Sequence, residues 1–366
     1  MTVPPPPNQW GPQPPMGDQP VGPQQPWGPP AGPPPGGGGK GKWILAGIAV
    51  LAVIAVTVVI TVLVIGKDSG GGESPTPTNG NGSDFASAND KGPVGIITED
   101  PTCAAWSKVA EQYVSAETTG RWRDRDATVP ATAWTSDQRS MYESVGKAMD
   151  DAATQTVDLV KVTPHRVVRE LYEQFIAYAR LFNQSVPKYK PEDNYLAGVV
   201  DGAGSALVSI CGAITYDSAA TQAPFLPKGP LPSKISEPGD ASDPQRFLAS
   251  PDSVCSDWLS AYRQFDTDSM DWRKVDPNKA ATEWTPEEKA LNDAVVRLMT
   301  AFADRAEAIG IRSENPVLQD WAVLSAQYRR AYVRAIPAYT PADNYLVSTS
   351  TYLAQAINTA CLAVGA

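Results

Sequence analysis

A single histidine, His165, stands among 366 residues, so neither a His-rich zinc site nor an H-E-x-x-H protease centre can be assembled. His165 follows a Thr-Pro pair at the expected start of a helix, where an imidazole is normally solvated, and the equivalent position in a second copy of the motif is Asn315. Asp193 and Asp343 recur at the third position after a capping residue and proline, where a carboxylate accepts backbone N–H groups and opposes the helix dipole. Glu192-Asp193 and Asp150-Asp151 are adjacent along a helix and point different ways, and neither pair recurs, so no retained carboxylate pair suits glycoside hydrolysis. These residues predict no catalytic residue, no metal site and no cofactor.

The tryptophans and cysteines are more specific. Six of the ten tryptophans form pairs: Trp106 with Trp258, Trp122 with Trp272, and Trp134 with Trp284. Trp122-Arg123 and Trp272-Arg273 define either a structural cap, with each arginine bonded to Asp126 or Asp276 or to loop carbonyls, or a duplicated cleft for a sugar, peptide or lipid headgroup. Trp122, Arg123, Trp272 and Arg273 are thus the candidate binding residues. Four cysteines permit three pairings, and placing one near the start and one near the end of each copy favours Cys103 with Cys211 and Cys255 with Cys361. Such bridges belong in an oxidising compartment.

From Trp122 onward the two copies are offset by a constant 150 residues: Pro187-x-Tyr189-x-Pro191-x-Asp193-Asn194-Tyr195-Leu196 answers Pro337-x-Tyr339-x-Pro341-x-Asp343-Asn344-Tyr345-Leu346. Capping residues followed by proline (Asp100-Pro101, Thr163-Pro164, Ser250-Pro251, Thr285-Pro286, Thr340-Pro341) and the capping boxes Thr135-x-x-Gln138 and Thr285-x-x-Glu288 predict four helices per copy. Val168, Leu171, Phe175, Tyr178 and Phe182 make the apolar stripe of the third helix, and Leu318, Trp321, Ser325, Tyr328 and Tyr332 repeat it. The fold class is all-α: one transmembrane helix followed by two tandem, duplicated, disulfide-closed four-helix modules.

The membrane element is Trp43 to Ile65, 23 residues without charge or proline. Lys40 and Lys42 precede it and only Lys67 lies close after it, which places the N-terminus in the cytoplasm. The expected organisation is a Pro/Gly-rich cytoplasmic tail (1–42, with 15 prolines before residue 41), the span (43–66), a flexible stalk (67–99), module one (100–212), a stiff, largely extended Pro-rich linker (213–250) and module two (251–366). The segment 196–214 is apolar but contains Asp201, and reads as a core helix. After residue 67 there are 27 basic and 39 acidic residues, a balance that disfavours nucleic acid or anionic lipid as an adhesive partner.

The tail PPPPNQWGPQPPMGDQPVGPQQPWGPPAGPPPGGGGKGKW, the Ala/Val/Ile-rich span and the Gly/Ser/Thr/Pro stalk together resemble the proline-rich single-pass membrane proteins of mycobacteria and related actinobacteria. The resemblance covers residues 1 to about 80 and implies a plasma-membrane protein facing the cell envelope. Sequence and resemblance together lead to the expectation of a non-enzymatic, membrane-anchored, extracytoplasmic binding or scaffolding protein with an envelope protein or glycan as partner. The alternatives are a sensor coupling an external ligand to a cytoplasmic partner of the proline-rich tail, and, third, an envelope enzyme.

Overall fold

A computed structural model describes residues 84–366; the tail, the span at 43–66 and the first part of the stalk lie outside the described residues. Among the described residues every regular element is helical. Eight long helices carry the fold: α1 (Cys103–Thr119), α2 (Ser136–Val162), α3 (Arg166–Ser185), α4 (Asn194–Thr215), α5 (Cys255–Asp268), α6 (Pro286–Gly310), α7 (Pro316–Ala335) and α8 (Asn344–Ala363). In the first half α1 packs on α2, α2 on α3, α3 on α4, and α4 returns to α1; α5 to α8 repeat this order.

Local chemistry accounts for several boundaries. Thr135 and Thr285 accept the N–H groups of Gln138 and Glu288, and both capping boxes are complete. Thr285-Pro286 opens α6 with proline at the first position. The other Pro signals mark something different. Asp100 accepts the N–H of Thr102 in a turn ahead of α1, α3 starts at Arg166 beyond Pro164, and Ser250-Pro251 precedes α5 by a full turn. Thr340-Pro341 opens a 3-10 turn, Pro341–Asp343, that runs into α8. At these starts polar side chains bond the backbone of the approaching turn: Asp100 that of Thr102, Asp252 that of Val254 and Asp343 that of Thr340.

The bridges join Cys103 to Cys211 and Cys255 to Cys361, with Cα atoms 5.4 and 5.5 Å apart. Each ties the first residue of its half's first helix to the end of its fourth. Both apolar stripes on α3 and α7 are buried. Trp106 meets Tyr172 and Phe175 edge-on, at 5.5 and 5.0 Å, contacts worth about 0.5–1.5 kcal/mol each beyond the area they bury.

Residues 84–366 form one compact unit, not two bundles hanging from a spacer. Its central seam is α4 running antiparallel against α8. A Cβ on Gly202 would lie 2.9 Å from the Ala356 side chain, and one on Gly212 would overlap the Tyr345 ring, so these glycines permit the approach. The run Pro191–Thr215 is long and apolar enough to cross a membrane by length and composition, yet 72% of its apolar window is buried within the fold. That apolar surface serves the seam.

The stalk and linker expectations are corrected where the chain is described. Residues 85–99 are packed, not free: Val94 and Ile97 are buried, and the Ile97 N–H donates to Tyr328 of α7 at 3.3 Å. The segment 226–254 has no long helix, as its prolines dictate, but it is pinned along α3. Arg169 donates to the Ser236 carbonyl, Gln174 donates to the Gln245 carbonyl and accepts from Phe247 N–H, and Tyr178 donates to the Leu248 carbonyl. Each half's leading arm therefore reaches the third helix of the other half. The arms meet where a Cβ on Gly229 would lie 2.5 Å from the Val94 carbonyl. This cover explains why α3 and α7 are buried almost all round, including residues on what would otherwise be their solvent face.

Candidate functional site

The loop after α1 carries the first aromatic and arginine set. Trp122 opens a 3-10 turn and is buried, with its ring edge-on to Tyr142 at 5.0 Å and to Phe182 at 5.8 Å. Trp134 stacks on Tyr142 at 4.1 Å and donates to the Val129 carbonyl. Asp126 is held within its own turn, and Arg123 lies close to other charged groups. Asp126 accepts the N–H and hydroxyl of Thr128, bonds that hold its carboxyl below the usual range. Arg123 is instead pulled down by burial, opposed by the charges of Tyr352, Glu117 and Asp201.

Arg125, which the repeat does not single out, is the arginine that organises this loop. Its guanidinium carbon lies 3.6 Å from the centre of the Trp122 ring, and its nitrogens donate to the Trp122 carbonyl at 2.8 Å and to Asn194 Oδ1 at 2.7 Å. The only sequence signal was a departure from the repeat, since Val275 occupies the matching position.

The second set is built on the same loop but stands partly open. Trp272 donates through Nε1 to Asn292 Oδ1 at 3.0 Å and meets Tyr332 edge-on at 5.9 Å. Trp284 stacks against Tyr339 and donates to the Lys279 carbonyl. Arg273 pairs with Asp266 at 2.8 Å and also donates to its carbonyl, while Asp276 accepts from Asn278; the expected Arg273 to Asp276 bond is absent. Trp272, Val275, Asn292, Tyr339 and Asn344 line a cleft of about 290 Å³, counting its open mouth. The four sequence candidates thus lie in two separate loops: Trp122 is sealed in, and Trp272 and Arg273 face the cleft.

Beside the cleft, burial raises the Asp343 carboxyl; the other raised carboxylates lie elsewhere. Burial pushes up Glu117, further raised by Asp201; burial also pushes Asp201 to about 6, opposed by Arg125. Beneath the arms, Arg166 donates to Asp320 at 2.7 Å with both side chains buried, joining α3 to α7. Glu170 is fully buried beside Asp320 and is pushed well up by that burial, then by the Asp320 charge. Glu173 rises to about 7 by burial, opposed by Arg169 at 3.5 Å. Sequence reading missed this group because its members occupy the polar face of an amphipathic helix. His165 stands at the N-cap position of α3 without a capping bond, its ring nitrogen 2.8 Å from the Glu99 carbonyl, whereas Asn315 in the second half caps α7 by accepting the Leu318 N–H and donates to the Phe247 carbonyl. Among the described residues no group of three or more His, Cys, Asp or Glu side chains is placed to hold a metal ion.

A family model described as mycobacterial ESX-1 associated protein matches residues 85–365, which are the residues of the helical unit. An uncharacterised protein of Mycolicibacterium smegmatis (strain MKD8) is 45% identical over 347 residues, covering 93% of this chain and 90% of its own length. No solved structure matches. The chain belongs to the mycobacterial ESX-1 associated family.

Proposed function

We propose, on the premise of that membership, that the chain is a non-enzymatic binding or scaffolding component of the mycobacterial envelope, anchored by residues 43–66 and serving ESX-1 secretion from the extracytoplasmic side. The observation that carries the reading is the pair of disulfides within the matched region, because such bridges persist in an oxidising compartment and are rare in the cytoplasm. Two cations before the span against one close after it favour the same orientation. The raised carboxylates of Glu170 and Glu173 lie in helix interfaces under other segments, which supports a stabilising role over acid–base chemistry on an external substrate. The recurrence of four helices at one offset supports an origin by duplication of a four-helix module, with the copies now fused across α4 and α8.

The experiment is crosslinking of the tagged full chain in its native membrane, followed by purification and identification of what is joined to it. ESX-1 secretion components should be enriched over a control chain that keeps residues 1–83 alone. Equal recovery from both would overturn the reading. Protease added to cells stripped of outer layers should remove residues after 83 and spare the tail, and the reverse pattern would overturn the orientation.

A further inference from the structure

We propose that the cleft at Trp272 binds the guanidinium group of an arginine presented by a partner protein. The argument rests on the comparison of the two loops. In the first half the space above the tryptophan is already filled by the chain's own arginine. Arg125 lies flat over Trp122 and donates to a backbone carbonyl and to the side-chain oxygen of Asn194. In the second half the receiving groups remain: Trp272 answers Trp122 and Asn344 answers Asn194. The two groups that close the first site are replaced by smaller ones, Arg125 by Val275 and Tyr142 by Asn292. What opens is the cleft described above.

The groups left in the cleft suit that occupant. Asn292 fixes the Trp272 ring through its Nε1, keeping the indole orientation independent of any ligand. A guanidinium stacks on tryptophan and presents a planar fork of donors, whereas an ammonium offers a point charge. Asp276 lines the same cleft and supplies negative charge, while the cation of Arg273 is engaged by Asp266 and does not repel the incoming group as a free one would. The enclosed part of the cleft is small and most of its space lies at the open mouth, which suits a flat group laid on the indole and excludes a pyranose ring held in a closed pocket. Arg125 is itself an arginine on a short turn, so the occupant is taken to be an arginine on an exposed turn of another protein. The inference gives a chemistry to the partner of the binding protein proposed above and rests on that reading only for its biological setting.

The test uses the full chain in a nanodisc, labelled with 5-fluorotryptophan, with the Trp272 signal assigned by its loss in Trp272→Phe. The probe is the peptide acetyl-Gly-Arg-Gly-amide, with the lysine and citrulline versions as comparisons. The arginine peptide should shift the Trp272 resonance to saturation while leaving Trp106 in place, and the two comparisons should bind at least about tenfold more weakly. Val275→Arg, which supplies an internal guanidinium, should weaken the arginine peptide by a similar factor. Val275→Met, which fills the cleft without charge, should do the same and serves if the first variant fails to fold. No Trp272 response, equal response to all three peptides, or undiminished binding by a folded filled variant would overturn the proposal. Enrichment of secretion components by crosslinking is scored separately: it can persist when the peptide fails, which would refute the arginine site alone, and it can fail when the peptide binds.

Discussion

Glu170 and Asp320 occupy the same position in the two copies, 150 residues apart, and the fold brings their carboxyl groups together where α3 crosses α7. Two buried carboxylates cannot both ionise cheaply side by side, so one holds a proton. Arg166 favours Asp320 as the charged one: it is bonded to Asp320 through two nitrogens, whereas Glu170 takes no hydrogen bond and is pushed up by burial and then by the Asp320 charge. A repeat that is symmetric in sequence position is therefore asymmetric in charge.

That asymmetry predicts opposite results for two isosteric substitutions in the full chain. Glu170→Gln replaces a neutral acid with a neutral amide and should change the unfolding free energy by less than about 1 kcal/mol at pH 7. Asp320→Asn leaves the buried Arg166 guanidinium with only the partly exposed Asp90, 3.9 Å away, as its ion-pair partner and should cost roughly 3 kcal/mol. Urea unfolding of both variants checks the contrast, and comparable losses would refute the assignment of the proton.

Glu173 gives a pH dependence. Its carboxyl is raised to about 7 in the folded chain, above its ordinary value, so the folded state binds the proton more tightly than the unfolded one. The contribution is fully present below the unfolded pKa and is lost as pH rises through about 7. Melting temperature should accordingly fall between about pH 5 and 7, and Glu173→Gln should flatten that slope. A slope unchanged in the variant would remove Glu173 as its source.

In the first aromatic loop the decisive arginine is Arg125. Arg125→Ala removes the stack on Trp122 and the bond to Asn194, and should cost roughly 1–3 kcal/mol. Arg123→Ala removes a side chain that keeps much of its surface in water beside the Glu117 and Asp201 charges, and should cost less than Arg125→Ala. Thermal unfolding of the two single variants measures the ordering directly, and a reversed order would restore Arg123 as the anchor.

The α4 and α8 seam predicts one cooperative transition for the oxidised helical unit, because neither half can release its fourth helix without exposing the face of the other. Gly202→Leu should overpack the contact with Ala356 and cost about 1–3 kcal/mol or more in that same transition. Two separable transitions in calorimetry of the unmodified chain would contradict the shared seam.

Periodicity made the helices, their stripes and the capping boxes legible, and the position of cysteines at the ends of each copy made the bridges legible, because those signals are local or concern only a chain's return to its own start. The arms were not legible. Proline and glycine forbid a helix in 226–254 whether the segment floats or lies along α3, so composition cannot distinguish a spacer from a strap. Arg166, Arg169, Glu170 and Glu173 were not legible as a buried group for the same reason: their burial is imposed by segments far away in sequence. The cleft at Trp272 was half legible, since the duplicated Trp-Arg pairs pointed to the loops while Arg125, present in one copy only, decides which loop is open.

The two bridges also set how the protein answers tension. A pull at Asp84 is first resisted by the arm from 85 to 99 through its bonds to α3 and α7. Once the arm peels away, the load reaches Cys103 and passes directly to Cys211, so the chain between them is shielded from the force. With 108 residues separating the first pair and 106 the second, each bridge withholds about 350–390 Å of extended chain from stretching. Under load the oxidised molecule behaves as a short leash with two locked loops, and only reduction lets out its full contour.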